Sequence, residues 1–369
     1  MKADVIAWAK GAPTDKLVTK ETLNHPELIE LVSGLEVYRH TAEAYRRTYQ
    51  ALGIDIINRV PLENAPDPTP AGSTRLHPSR PYNLAPLGVY DTAMRHTYAC
   101  ATPEEVWDVD VAALNHDDLL TPVPHPCHRP DIIARMTAVG EVGLYYPMLY
   151  TTLFMGPVEV LGWENFLIAA QLEPQRFHDH FLAPWAAKSA AIVTDMAQAG
   201  DSPFVFVHDD LASATGPMFH PDWYDEYIFP HYPDIWRDAR QAGKKIIFVA
   251  DGNMTVFLPK LVEVGVDGIM FETPATPLEA VIEFFGGEGR FFIGGISTLK
   301  IATGTPDEVR RMVFDLFERV GDYPGFAMAS GGGLNGGLPL PNLEAYFDAR
   351  AEIGATPADW RICCHVNHS

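Results

Sequence analysis

From about residue 143 the chain alternates short apolar runs with longer amphipathic ones, and that alternation limits its fold more than any other feature. PFVFV (203–207) is followed by PDWYDEYIFPHYPDIWRDARQAG, KKIIFVA (244–250) by MTVFLPKLVEVG, and DGIMFE (267–272) by TPLEAVIEFFGG. RFFIGG (290–295) then precedes TPDEVRRMVFDLFERVG, and GFAMAS (325–330) precedes PNLEAYFDARAEIG. The runs FVFV, IIFV and FFI lack a period of two, as expected of parallel strands covered on both faces. Strand-then-helix repeated this often specifies a parallel sheet. An open doubly wound sheet calls for a phosphate-binding glycine turn after its first strand, and none occurs. The expected fold is therefore α/β, a (β/α)8 TIM barrel. Seven strands are evident, near 54–60, 144–150, 203–207, 245–250, 268–271, 291–294 and 325–329; the eighth is not.

At 369 residues the chain is long enough for two or three domains, but one decorated barrel also uses this length. Residues 1–52 read as an N-terminal helical extension, because HPELIELVSG and TAEAYRRTYQALG carry apolar residues at three- and four-residue steps and end on Gly34 and Gly53. Residues 61–140 read as an irregular insertion or cap, dense in Pro, Asn, Asp and Gly, with a capping-box pattern at Thr102 and Glu105. The barrel core is expected over 141–355 and a tail over 356–369.

The charge narrows the partners. With 27 Lys+Arg against 48 Asp+Glu the formal net charge is −21, which disfavours nucleic acid and anionic membrane surfaces. No stretch has the roughly 18 apolar residues of a membrane span, and the start is too weak for a signal peptide. Four cysteines (Cys100, Cys127, Cys363, Cys364) do not make a disulfide framework, so a reducing cytoplasm is the expected location.

In such a barrel, chemistry sits at the C-terminal strand ends. That rule selects His208, Asp209 and Asp210 after PFVFV, Asp251 and Asn253 after KKIIFVA, Glu272 after GIMF, and Ser330 and Gly331 after GFAMA. Upstream it adds Asn58, Arg59 and Glu63, and the aromatic run with Tyr145, Tyr146, Tyr150 and Phe154. His208, Asp209, Asp210 and Glu272 are the expected catalytic groups; Asp251, Asn253, Tyr146, Ser330 and Gly331 are expected to bind substrate. Turn formation explains Asp251-Gly252-Asn253 equally well, and core packing explains the tyrosines. A metal, if bound, is expected on Asp195, Asp210 and His231. Gly331-x-Gly333-x-x-Gly336 matches a dinucleotide fingerprint only formally, because LPLP follows it instead of a helix start. Cys363-Cys364-His365-x-x-His368 is disfavoured as a zinc site, since adjacent cysteines seldom share one ion.

Three segments carry a family resemblance. HDDLASATGPMFHPDWYDEYIFPHYPDIWRDARQAGKKIIFVADGNM, FFIGGISTLKIATGTPDEVRRMV and FAMASGGGLNGGLPLPNLEAYFDA, in this order, resemble the uroporphyrinogen decarboxylase superfamily from about residue 140 to 350. The decarboxylase's arginine-rich "RQAGR" motif is missing; Arg46-Arg47 lie on an expected helix, and a polycarboxylate substrate suits this acidic chain poorly. The zinc-thiolate methyltransferases of the superfamily place His-x-Cys and a further Cys where this chain has Ala250-Asp251-Gly252 and Ser330-Gly331-Gly332. The resemblance therefore implies the corrinoid-dependent branch that serves O-demethylation or tetrahydrofolate. It implies methyl transfer from a small methylated, in one form methoxyaromatic, substrate to the cobalt of a corrinoid (cobalamin) carried by a partner protein. The alternatives are transfer from methylcorrinoid to tetrahydrofolate and a superfamily binding protein without this chemistry. Zinc is an optional cofactor in this reading, and a homodimer a possible assembly.

Overall fold

The computed structural model describes residues 2–62, 99–114 and 129–361. Nine strands build one parallel sheet: β1 (Thr19–Lys20), β2 (Ile56–Ile57), β3 (Leu144–Tyr145), β4 (Met148–Leu149), β5 (Phe204–His208), β6 (Lys245–Ala250), β7 (Gly268–Phe271), β8 (Phe291–Ile296) and β9 (Phe326–Ser330). They pair in the order β3-β2-β1-β9-β8-β7-β6-β5-β4, and the sheet curls with helices around it. Its two outermost strands are successive pieces of one stretch. Pro147, between them, has no N–H to donate. The ladder changes partner there, with Tyr146 N donating to Ile57 O (3.1 Å) and Pro147 O accepting from Phe206 N (3.2 Å).

The sheet's inner face is as dry as its outer one. Val18, Ile56, Tyr146, Phe206, Val249, Ile293 and Ala329 belong to an inner apolar cluster, separate from the larger one under the helices. The N-terminal helix Lys2–Ala9 packs into the inner cluster, where the Trp8 ring lies 4.8 Å from Phe291 and 5.4 Å from Phe204. Each such aromatic pair is worth about 0.5–1.5 kcal/mol beyond simple burial.

Helix ends follow their sequence signals. Pro26–Ser33 and Thr41–Leu52 end on Gly34 and Gly53, at φ 69° and 65°, the left-handed turn that glycine takes most cheaply. Pro306–Val320 opens with a complete capping box between Thr305 and Glu308. The stretch from Pro174 to Gln198 is helical throughout, with a π turn at His178–Leu182. Thr102–Glu105 opens only a 3-10 helix, Pro103–Asp108; Glu105 accepts from Ala101 N (2.8 Å), and the Thr102 side chain caps nothing.

Two expectations change. Residues 1–52 are not wholly a helical extension outside the sheet, because Thr19–Lys20 is a sheet strand between β2 and β9, and Leu23–Asn24 pairs with Leu334–Asn335. Two strands are also shorter than expected: Ile56–Ile57 for 54–60, and the split pair for 144–150. Much of the expected insertion (63–98 and 115–128), with Glu63 and Cys127, and the tail from 362, with Cys363, Cys364, His365 and His368, lie outside the described residues. Among the described residues no helix is long and apolar enough to cross a membrane.

Candidate functional site

The pleat of the strands sorts the chemistry. Side chains two residues apart share a face, so continuing the inner cluster by two residues brings Lys20 after Val18, Asn58 after Ile56 and Tyr150 after Met148. The same step brings His208 after Phe206, Asp251 after Val249, Glu272 after Met270 and Gly331 after Ala329. These positions ring the C-terminal mouth of the sheet. Residues one position out of step face the helical wall.

His208 is the centre of the mouth. Its Nδ1 donates to Tyr150 O (2.7 Å), and its ring stacks on Tyr150 with centroids 4.5 Å apart and planes at 12°. Its Nε2 lies 3.2 Å from Asp210 Oδ1. Burial opposes charge on the imidazole, but the Asp210 carboxylate outweighs it, helped by Asp251, and holds the pKa up at about 9. Burial likewise opposes charge on Asp210, yet His208 and the Asp251 N–H (2.7 Å) keep it below the usual carboxylate range. Asp251 behaves oppositely: desolvation by the walls of the mouth, with the Asp210 and Glu272 carboxylates nearby, pushes it up to about 6.

Lys20 faces this acidic group and was missing from the sequence-derived candidates. It is 1% exposed, its Nζ donates to Thr22 Oγ1 (2.7 Å), and burial lowers its pKa to about 8 against the pull of Glu21 and Asp251. A two-residue strand gives no apolar run to detect; the only trace is Leu17-Val18 directly before it. Beside Glu272, Gly331 brings backbone and no side chain to the ring. A Cβ there would meet Glu272 Cγ at 3.1 Å, tighter than ordinary contact.

Several expected site residues are placed elsewhere. Asp209 is fully buried in the wall; its carboxylate accepts from the N–H groups of Leu153, Phe154 and Met155 (2.9, 2.9 and 2.7 Å) and from Tyr232 Oη (2.8 Å). It positions the 153–155 turn and does not join the mouth. Ser330 turns outward too, donating its hydroxyl to buried Glu21 (2.5 Å), which also accepts from Tyr346 and Arg350. Asn253 Oδ1 is taken by Thr255 N (3.2 Å) and Oγ1 (2.7 Å), an Asx turn opening the next 3-10 helix. Tyr146 is buried at 1% exposure against Phe206 beneath the mouth, and Tyr145 packs on the outer side.

The expected metal set Asp195, Asp210 and His231 is not assembled. Asp195 is half-buried and pairs with Arg129, and His231 meets His178. Among the described residues one group qualifies instead: His208, Asp210 and Asp251 each offer a ligand atom, all within 4.8 Å of one another. One imidazole and two carboxylates, without thiolate, suit a divalent ion such as zinc. The Nδ1–H bond to Tyr150 O is the outer contact that leaves Nε2 for an ion.

Comparison with known proteins adds two findings. The uroporphyrinogen decarboxylase family model matches residues 156–353, more than half of the chain. Among solved structures, a methyltransferase from Methanosarcina mazei is similar with a TM-score of 0.60 at 15% identity, over 96% of this chain and 98% of that one. Identity that low bears on the fold alone. No curated protein matches the chain.

Proposed function

The chain belongs to the uroporphyrinogen decarboxylase family, and on that premise we propose that it is a methyltransferase. It moves a methyl group from a small methylated compound, a methoxyarene in the leading form, to the cobalt of a corrinoid on a partner protein. The observation that carries this reading is the His208–Asp210 pair at the mouth, beside Asp251, Glu272 and the bare backbone of Gly331. Removing a methyl group from an aryl ether leaves a phenolate, whose protonated form has a pKa near 10. An acid with a pKa of about 9 is well matched to donate that proton. Asp210 keeps His208 charged, and the Tyr150 carbonyl and stacked ring hold the imidazole from behind.

His208, Asp210 and Asp251 are also the residues that would hold a divalent ion, which when bound would supply Lewis-acid help to the leaving oxygen. Proton and ion compete for Nε2, so the site works in one of two forms. The reverse transfer to tetrahydrofolate would call on Asp251, Asn253 and Glu272 to hold the pterin, and of these the Asn253 carbonyl oxygen is taken by Thr255. We favour demethylation on the match between His208 and a phenolate leaving group. We also read the sheet as a closed (β/α)8 barrel, with the 144–149 stretch as the strand that joins β2 to β5. Mixing the purified chain with a reduced corrinoid protein and methoxyarenes tests the function. Formation of methylcobalamin supports it. Methylcobalamin that is only consumed, on adding tetrahydrofolate, supports the reverse reaction, and no spectral change in any mixture supports a binding protein.

A further inference from the structure

Outside the mouth, two histidines from different helical segments meet at the wall. His178 opens the π turn His178–Leu182, and His231 closes the 3-10 turn Phe229–His231. Their Nε2 atoms are 2.9 Å apart, with ring centroids at 5.0 Å and planes at 27°. Asp179 Oδ1 lies 2.7 Å from His178 Nδ1 and also accepts from Gln175 Nε2 (2.9 Å). A carboxylate can only accept there, so it fixes the His178 proton on Nδ1 and leaves the Nε2 lone pair facing His231.

We propose that His178 and His231 form a second divalent-metal site, of the bis-imidazole kind, suited to Ni2+ or Cu2+. Two nitrogens bound in cis at about 2.1 Å from one ion sit about 2.9 Å apart, which is the spacing found. The Asp179–His178 bond is the carboxylate–histidine contact that orients metal-bound imidazoles and raises their basicity. Both rings are half-buried; ion binding requires the His231 ring to turn so that its lone pair converges with that of His178, and water completes the coordination. Without an ion, the His231 Nε2–H proton fills the gap as an N–H···N bond; on binding, His231 takes its other tautomer, with that proton on Nδ1. The ion ties the long helix through Ala183–Gln198 to the segment whose next residue, Tyr232, holds Asp209. Its role is that of a clamp on the wall, independent of the chemistry at the mouth.

Calorimetric titration of the chelator-treated full chain with Ni2+ alone tests this. The Asp210→Asn/Asp251→Asn double variant removes the mouth ligands and is expected to keep one equivalent of Ni2+ with a raised melting temperature. Adding His178→Ala or His231→Ala should weaken that binding at least tenfold, and Asp179→Asn, which leaves both ligands, should weaken it about tenfold. Circular dichroism checks each fold, and His231→Gln replaces His231→Ala if the latter does not fold. A mouth variant that binds no Ni2+, or binding undiminished when either histidine is removed, overturns the proposal.

Discussion

His208 and Asp209 are neighbours in the chain, both at the end of one strand, yet they belong to different regions of the molecule. His208 turns into the mouth, where its Nε2 meets Asp210 and its charge is set by the carboxylates around it. Asp209 turns into the wall, where four donors occupy its oxygens. Lys20 and Glu21 repeat the pattern on β1: the lysine faces the mouth, and the glutamate is locked to Ser330, Tyr346 and Arg350. The wall groups have their hydrogen-bond partners within the protein, whereas the mouth groups crowd like charges together and so carry unusual pKa values. Crowded, shifted groups are the ones with free energy to exchange with a ligand.

The contrast can be broken by single substitutions. The largest effect is expected from Asp210→Asn: turnover should fall by about 10²–10⁴-fold, far beyond what the stability lost with the His208 counter-charge explains. Asp209→Ala should do the reverse, costing about 3 kcal/mol in urea unfolding because three N–H groups and a phenol lose their acceptor. Glu21→Gln leaves buried Arg350 without a counter-charge and should cost about 2 kcal/mol, read the same way. A pH series sharpens the comparison further. His208 has its pKa raised to about 9 from an ordinary 6.5, so its contribution is complete below pH about 6.5 and is lost as pH rises through about 9. Chelator-treated protein should therefore lose up to about 1.4 kcal/mol per pH unit in that window, and His208→Asn should flatten the slope. The smallest effect belongs to Asn253→Ala, about 0.5–1 kcal/mol from the lost turn, with methyl transfer unchanged.

The parallel sheet was legible because β5 to β9 are four to six residues long and apolar on both sides. β1 was not, since two residues, Thr19–Lys20, carry no periodicity and their pairing is supplied by β2 and β9. With β1 went Lys20 and Glu21. The strand-end rule found His208, Asp210, Asp251 and Glu272, but it could not separate them from Asp209 and Ser330. That separation needs the strand's last residue and hence its pleat phase. The expected metal triad failed for another reason. Asp195 and His231 lie on helical segments whose direction is set by packing, and spacing along the chain says nothing about that.

Methyl transfer is proposed for the mouth and, within it, for the His208–Asp210 pair. The most direct measurement follows the cobalt spectrum of a reduced partner corrinoid protein mixed with a methoxyarene and either the parent chain or Asp210→Asn. Methylcobalamin should form with the parent and not with the variant, with both proteins shown to be folded by circular dichroism. Equal rates for the two proteins would contradict this assignment.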